Sequence, residues 1–211
     1  MNENVAIIAG SSGTVGNALA REISSRHDWK VYGLSRRDPQ HKLEGVDYFQ
    51  MDLNDSEECV KKLSKLNDIT HAFYCGRATH EEQVIEGANE NLILLDNFIN
   101  AIELASVNLK HVHLVQGGKF YGVHLGPFPT PAKEEDFRAP IQNFNYDQQD
   151  YLSRRSIDKE WSWTASRPNT LLHFSPHIAR NIVSTIGAYA AICREVGAAL
   201  DFPGHPGAYT S

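Results

Sequence analysis

Three evenly spaced glycines near the amino terminus could bind a phosphate group. Gly10, Gly13 and Gly16 are spaced G-x-x-G-x-x-G and follow the apolar segment Val5–Ala9. Gly10 permits a tight turn, Gly13 lets the backbone approach a diphosphate, and Gly16 lets the next helix pack on the strand. That helix offers unpaired N–H groups and the positive end of its dipole. The turn is therefore predicted to bind a dinucleotide, with Ser12, Thr14 and Val15 as further contacts. The alternative is a tight turn that binds no ligand.

The residues after the second apolar segment indicate which dinucleotide this is. Ser35, Arg36 and Arg37 follow Lys30–Leu34. A site selective for NAD commonly has Asp or Glu here, which binds the ribose 2′-hydroxyl. Guanidinium groups instead pair bidentately with phosphate. The two arginines therefore favour NADPH, which carries a 2′-phosphate. The alternative is that they are two solvated surface charges.

Two further strand ends supply cofactor candidates. Asp52 and Leu53 follow the segment Tyr48–Gln50, where an acid can meet the adenine amino group. The alternative for an acid here is a helix N-cap, which suits Asp55 better than Asp52. Gly76 follows the fourth apolar segment and is predicted to contact the cofactor as well.

The catalytic candidates depend on a missing motif. An alternating α/β chain with this glycine loop suggests a short-chain dehydrogenase, which usually carries Tyr-x-x-x-Lys on one helix face. No tyrosine here has a lysine four residues later, and Tyr151 with Arg155 comes closest. Lys119 is the alternative lysine, because it follows a fifth segment whose carboxyl end should line the ligand crevice. Tyr146 starts the next helix. From residue type alone, Lys119 can equally be a solvated loop lysine and Tyr146 a packing residue.

The elements that position these residues alternate in type. Short apolar runs with strand character alternate with segments whose apolar residues recur every three or four positions. The strands are predicted at Val5–Ala9, Lys30–Leu34, Tyr48–Gln50, Thr70–Cys75 and His111–Val115, and the helices at Thr14–Arg26, Ser56–Leu66 and roughly Glu82–Ala105. This alternation predicts an α/β fold of the Rossmann type, a doubly wound parallel sheet with helices on both faces.

The pattern changes after Val115. Gly117–Pro140 is rich in glycine and proline and is predicted to be a long functional loop. A helix is expected at about Tyr146–Lys159, a strand at Ser162–Ser166 and an apolar helix at about Ile178–Val196.

His111 and His113 are close together in the fifth predicted strand. Two residues apart on a strand, they share one face. No third metal ligand is near them in the sequence, so no metal site is predicted.

Composition narrows the class of protein. The chain has 211 residues, 20 Lys+Arg against 26 Asp+Glu, and 41% hydrophobic residues, an ordinary globular balance. The acidic charge argues against nucleic-acid binding, and no apolar run is long enough to span a membrane. With no secretory signal, the three scattered cysteines are expected to be reduced thiols in a cytoplasmic protein.

Several short motifs are distributed along the whole chain. They are Ser35-Arg36-Arg37, Gln116-Gly117-Gly118-Lys119, Leu125-Gly126-Pro127-Phe128, Asn143-Phe144-Asn145-Tyr146-Asp147-Gln148-Gln149-Asp150, Arg167-Pro168, Phe174-Ser175-Pro176, Ala190-Ala191-Ile192-Cys193 and Phe202-Pro203-Gly204. Taken together and in this order, they resemble the progesterone 5β-reductase/iridoid synthase family, whose members are atypical short-chain dehydrogenases that reduce enones.

The resemblance implies roles for particular residues. Lys119 and Tyr146 correspond to a catalytic pair that the family divides between two segments. The family's motif has two adjacent tyrosines, and Asn145 replaces the first, which favours Tyr146 as the reactive phenol. Phe128 is implied as a substrate residue and Ser175 as a cofactor residue, and the catalytic pair is expected to touch the cofactor too.

The implied activity is NADPH-dependent 1,4-reduction of a small-molecule enone. Tyr146 would stabilise the developing enolate oxygen with a hydrogen bond, and Lys119 would hold the ribose. An NAD(P)-dependent carbonyl reductase or epimerase-like enzyme is one alternative, although the missing Tyr-x-x-x-Lys argues against the epimerase. A non-catalytic NADP-binding sensor is another. A homodimer of this chain is the assembly that the sequence analysis considers.

Departures from the family concern the substrate and the length. The family lacks the insert Gly122–His124 and usually has Val-Thr-Trp in place of Cys75-Gly76-Arg77, and both changes bear on substrate preference. Family members run considerably further than 211 residues. The expectation is therefore an NADP-binding domain over residues 1–170 and the start of a substrate-binding portion over 171–211, in a fragment or truncated gene product. NADPH binding is expected to survive at this length, whereas turnover is expected to depend on the rest of the substrate-binding portion.

Overall fold

One parallel sheet organises the chain, in a computed structural model that describes residues 4–78, 86–172 and 182–204. Its strands are β1 (Asn4–Ala9), β2 (Trp29–Ser35), β3 (Val46–Gln50), β4 (His71–Tyr74), β5 (His111–Val115) and β6 (Ser162–Ser166). They lie in the order β3-β2-β1-β4-β5-β6, and every adjacent pair is parallel. The chain returns to the other side of β1 after β3, which opens a crevice at the carboxyl ends of the central strands.

Helices cover the sheet on two sides, as the alternating pattern predicts. They are α1 (Thr14–Ser24), α2 (Ser56–Leu63), α3 (Ala88–Ala105) and α4 (Phe144–Arg155). A fifth helix, α5 (Ile182–Glu195), follows them in the chain. Successive residues of β1 face opposite layers: Ile7 packs in a core with side chains of α2, α3 and α4, whereas Ile8 packs in a second core with α1. The predicted doubly wound Rossmann-like fold is confirmed. Within the described ranges, no helix is both long enough and apolar enough to cross a membrane.

Most predicted bounds are close to the observed ones, and two differences are informative. The predicted loop Gly117–Pro140 contains a short 3-10 helix, Gly118–Tyr121, which ends at Gly122 in the left-handed region with φ of 79°. The third helix begins at Ala88, whereas the prediction began near Glu82. Residues 79–85, which include that predicted start, lie outside the described residues.

β5 and β6 are joined by side chains as well as by backbone. The His111 ring lies between the hydroxyls of Ser162 and Thr164, each at 2.9 Å. The His113 ring lies in the same way between Thr164 at 2.8 Å and Ser166 at 3.0 Å. The two histidines share one face, as predicted, and each uses both ring nitrogens to contact the neighbouring strand.

These histidines make the stability of the sheet depend on pH. Burial lowers the pKa of His71, His111 and His113 below the ordinary 6.5, because it disfavours the charged ring. The unfolded chain therefore takes up protons first as the pH falls. We expect the free energy of unfolding to be highest above pH 6.5 and to decrease as the pH falls through the lowered values. Urea unfolding at several pH values measures this.

A pair of variants assigns the effect to this face. His113→Gln removes one titrating ring from the strand interface and should flatten the pH dependence, whereas exposed His27→Gln should leave its slope unchanged. Equal slopes in wild type and His113→Gln would contradict the assignment.

Candidate functional site

The turn from β1 into α1 has the close packing that its glycines allow. Gly10 has a φ of 76°, and its carbonyl accepts a hydrogen bond from the Gly13 N–H at 2.9 Å. A Cβ on Gly16 would overlap that same carbonyl. Gly13 precedes α1 as its N-cap and supplies no side chain to the N–H groups of the first turn. This arrangement fits an anion such as a cofactor diphosphate.

A cavity of about 440 Å³ lies where β1, β2, β3 and β4 end. It is lined by Gly10, Ser12, Gly13, Leu34, Ser35, Arg36, Met51, Asp52, Leu53, Asn54, Cys75, Gly76, Arg77, Ala78, Glu90 and Leu94. The size is usual for small-molecule sites. The sequence-based cofactor residues it brings together are Gly10, Ser12, Gly13, Ser35, Arg36, Asp52, Leu53 and Gly76.

The remaining predicted site residues are positioned differently. Within the described chain, the lining of this cavity does not include Thr14, Val15, Gly16, Arg37, Lys119, Phe128 or Tyr146. The first three belong to the first turn of α1. Ser175 lies outside the described residues.

Arg36 and Asp52 line the part of the cavity formed by β2 and β3. Asp52 Oδ1 accepts hydrogen bonds from Asn54 N at 3.0 Å and Asn54 Nδ2 at 2.9 Å. The backbone bond from Asn54 is the main reason why the Asp52 pKa lies below its usual value, and the Arg36 charge adds to it. Asp52 is therefore an anion at neutral pH. Asp55, the alternative N-cap, does cap α2, since its Oδ1 accepts from Glu58 N at 2.9 Å.

Cys75 is also on the cavity wall but is chemically quiet. Burial raises the pKa of its thiol to about 12. The sulfur is therefore protonated at neutral pH and is a poor nucleophile.

Lys119 is joined to the end of β4 by a shared carboxylate. Its Nζ donates to Glu86 Oε2 at 2.9 Å, and Arg77 Nη1 donates to Glu86 Oε1 at 2.8 Å. The Glu86 side chain is 5% exposed, whereas Lys119 and Arg77 are about half exposed at 46% and 51%. A buried acid thus holds two cations whose other faces are open to solvent.

Tyr146 and its neighbour Asn145 are both buried at the start of α4. The Tyr146 hydroxyl donates to the Phe120 carbonyl at 2.8 Å and accepts from the Ala139 N–H at 3.0 Å. The phenol therefore holds the turn that carries Lys119. Asn145 Nδ2 donates to Asn143 Oδ1 at 2.8 Å, but Asn145 Oδ1 has no hydrogen-bond partner among the described residues.

The bonds of Tyr146 predict a stability effect. Tyr146→Phe leaves the buried Phe120 carbonyl and Ala139 N–H without their partner, so we expect the free energy of unfolding to fall by about 1–3 kcal/mol. Denaturant unfolding tests this. Tyr189→Phe is the matched control, because its hydroxyl donates to the Asp201 carbonyl at an exposed position, where water can replace the bond. Equal losses in both variants would contradict the expectation.

Arg167 holds the Lys119 turn from the other side. The guanidinium donates to Gln116 Oε1 at 3.0 Å, to the Tyr121 hydroxyl at 3.0 Å and to Gln149 Oε1 at 2.6 Å. Its centre lies 3.5 Å from the centroid of the Phe120 ring. One side chain at the end of β6 thus connects β5, the 3-10 helix and α4.

Phe128 packs on the same turn. Its ring lies nearly parallel to that of Tyr121, 6.0 Å away between centroids and at 12°. The predicted substrate residue and the predicted lysine are therefore carried by one connected loop.

Sequence reasoning missed two residues that organise this region. Glu86 precedes a helix and had no motif, and only its burial between two cations reveals it. Arg167 belongs to the motif Arg167-Pro168, which by itself indicates no role for the side chain. Its position directly after β6, at the edge where the other strands end, was an available signal.

Comparison with known proteins supports a specific family. Residues 36–211 match the model of the PRISE-like Rossmann-fold domain. The chain is 41% identical to a 3-oxo-Delta(4,5)-steroid 5-beta-reductase of Arabidopsis thaliana, over 96% of this chain and 55% of that protein. It is 40% identical to an (S)-8-oxocitronellyl enol synthase of Nepeta racemosa, over 98% of this chain and 56% of that protein. The chain thus spans little more than half the length of these relatives.

Solved structures agree on the fold. A UDP-glucose 4-epimerase from Brucella ovis in complex with NAD superposes with a TM-score of 0.71 at 14% identity, covering 90% of this chain and 62% of that one. At that level of identity the likeness concerns the Rossmann-like fold alone.

Proposed function

The chain belongs to the PRISE-like Rossmann-fold family, and on that premise we propose that it takes part in NADPH-dependent reduction of α,β-unsaturated carbonyl compounds. The observation that carries the proposal is the cavity at the carboxyl edge of the sheet. Its wall combines the glycine turn after β1 with Arg36 after β2. Two relatives named for a steroid 5-beta-reductase and an oxocitronellyl enol synthase support the substrate class.

Cofactor preference follows from the charge at the end of β2. Arg36, rather than an acid, lies where the ribose 2′-position is expected, and guanidinium binds phosphate well. The glycine turn and the first turn of α1 would hold the diphosphate. For this reason we propose that the chain prefers NADPH over NADH. We also propose a cofactor-binding domain over residues 1–170, with the start of a substrate-binding portion at 171–211.

The proposed chemistry assigns separate tasks to the chain's own residues. NADPH, when bound, supplies a hydride. The β-carbon of the enone accepts it, negative charge moves to the carbonyl oxygen, and the α-carbon takes a proton from water. Lys119 is proposed to bind the ribose hydroxyls through donors that its bond to Glu86 leaves available. Tyr146 is proposed to donate to the enolate oxygen, for which its hydroxyl must leave the Phe120 carbonyl.

The hydrogen bonds of Tyr146 favour a second candidate function, NADP binding without turnover. The Tyr146 hydroxyl is already occupied by two backbone groups, and Asn145 stands at the motif's first tyrosine. A protein that binds NADP without turnover is consistent with that arrangement.

The test is NADPH consumption by this chain with cyclohexenone, a Δ4-3-oxosteroid and a conjugated dialdehyde. We expect NADPH to be consumed faster than NADH, and Tyr146→Phe to lower the rate by about 10²–10³. Consumption with none of these enones and no ketone, despite NADPH binding, would support the non-catalytic function.

One further variant separates the two adjacent positions. Asn145→Tyr restores the family's first tyrosine. If Tyr146→Phe keeps the wild-type rate while Asn145→Tyr raises it, the phenol role belongs to position 145 and the assignment of Tyr146 is wrong.

A further inference from the structure

Two arginines line the cavity on opposite sides of the glycine turn. Arg36 follows β2 and Arg77 follows the end of β4, and β2 and β4 are the two neighbours of β1 in the sheet. Among the lining residues that the structure describes, these are the two cations, and the glycine turn itself contains none. NADPH, the proposed cofactor, carries negative charge at two separate groups, the 2′-phosphate and the diphosphate.

The segment that carries Arg77 packs directly on the glycine turn. Cys75 N donates to the Ala9 carbonyl at 3.0 Å, which extends the ladder between β1 and β4 by one residue. A Cβ on Gly10 would lie only 2.7 Å from the Cys75 carbonyl oxygen and 3.1 Å from Gly76 N. Arg77 therefore starts beside the loop that would cradle the diphosphate, on the side away from Arg36.

The Arg77 side chain is anchored at one nitrogen and has further N–H donors. One nitrogen donates to Glu86 at 2.8 Å, and half of the side chain remains exposed. A guanidinium has five N–H donors in a planar fork, so one anchored nitrogen leaves donors for an oxyanion. Glu86 also bonds Lys119, so the two cations are held by a single buried carboxylate.

From these observations we propose that Arg77 binds the diphosphate of the nicotinamide cofactor, while Arg36 binds the 2′-phosphate. This inference rests on the proposed NADPH binding. It gives Arg77 a cofactor role in place of the substrate role that its departure from the family pattern suggested. Glu86 is then a positioning residue that orients Arg77 and Lys119 together.

The test uses two fragments that separate the charges. ADP-ribose has the diphosphate without a 2′-phosphate, and 2′-AMP has the 2′-phosphate without a diphosphate. Calorimetric titration of the full chain measures each dissociation constant. We expect Arg77→Met to weaken ADP-ribose about tenfold and to change 2′-AMP less than about twofold. The matched variant Arg36→Met should do the reverse, and Arg77→Lys should keep part of the ADP-ribose affinity.

Two outcomes overturn the proposal. Arg77→Met with unchanged ADP-ribose affinity removes Arg77 from the diphosphate, and an equal loss for both fragments indicates a general disturbance of the site. The double variant Arg77→Met/Glu86→Gln also removes the negative charge that Arg77→Met leaves beside Lys119, and it should show the same selective loss. If wild type binds neither fragment nor NADPH, the cofactor proposal itself fails. If wild type binds NADPH, Arg36→Met weakens 2′-AMP as expected and Arg77→Met binds ADP-ribose as wild type does, the inference about Arg77 fails while the proposed function stands.

Discussion

Gly16→Ala is expected to weaken NADPH binding strongly, with a dissociation constant raised at least about 100-fold. The added Cβ would overlap the carbonyl of Gly10, which already accepts the Gly13 N–H. Helix α1 or the turn must move, which displaces the N–H groups proposed to hold the diphosphate. The same overpacking should lower the free energy of unfolding by about 1–3 kcal/mol. Fluorescence titration with NADPH and denaturant unfolding measure the two effects.

Two other glycines provide a graded comparison. A Cβ on Gly13 would lie 3.3 Å from the Gly10 carbonyl oxygen, so Gly13→Ala should have a smaller effect than Gly16→Ala. Gly187 in α5 has open space around its Cα. Gly187→Ala should bind NADPH as wild type does, because the change is remote from the cavity. NADPH binding by Gly16→Ala at wild-type strength would show that the turn does not hold the cofactor.

Lys119→Met is expected to reduce enone turnover by about 10²-fold. It removes the ammonium proposed to hold the ribose, while methionine retains most of the volume. It also leaves Glu86, whose side chain is 5% exposed, with Arg77 as its remaining described ion-pair partner. Steady-state rates with cyclohexenone, together with NADPH titration, give the separate effects on kcat and on binding.

Control variants distinguish the charge from its geometry. Lys133 lies in an exposed part of the loop, and Lys133→Met should leave both measurements unchanged. Lys119→Arg keeps a positive charge but replaces a compact ammonium with a wide fork, so we expect it to recover only part of the rate. A wild-type rate in Lys119→Met would exclude this residue from the chemistry.

Arg77 and Lys119 are expected to affect NADPH binding together, because both bond to Glu86. Arg77 and Lys119 follow different strands. In the sequence, Arg77 is a departure from the family pattern, whereas Lys119 is the predicted catalytic lysine. The structure joins them through a single carboxylate. Effects of Arg77 and Lys119 variants on NADPH affinity should therefore be non-additive, since residues that share a partner couple.

The sheet and the phosphate turn are predictable from the sequence, because both depend on local patterns. Short apolar runs alternating with helical periodicity predict parallel strands, and the observed β5 and β6 have the predicted bounds. The glycine spacing predicts the turn because the close contacts of Gly13 and Gly16 are with Gly10, only a few positions away. The strand-end rule likewise brought Ser35, Arg36 and Asp52 to one cavity.

The ion pairs beside the cavity, by contrast, depend on tertiary contacts. Glu86, Arg77 and Lys119 come from three segments, and no spacing in the chain indicates that one carboxylate joins them. The hydrogen bonds of the Tyr146 hydroxyl are not predictable either, since its partners Phe120 and Ala139 lie in the stretch that the sequence predicts only as a long loop. Periodicity describes which face of an element is buried, but contacts between loops depend on how the whole sheet brings their ends together.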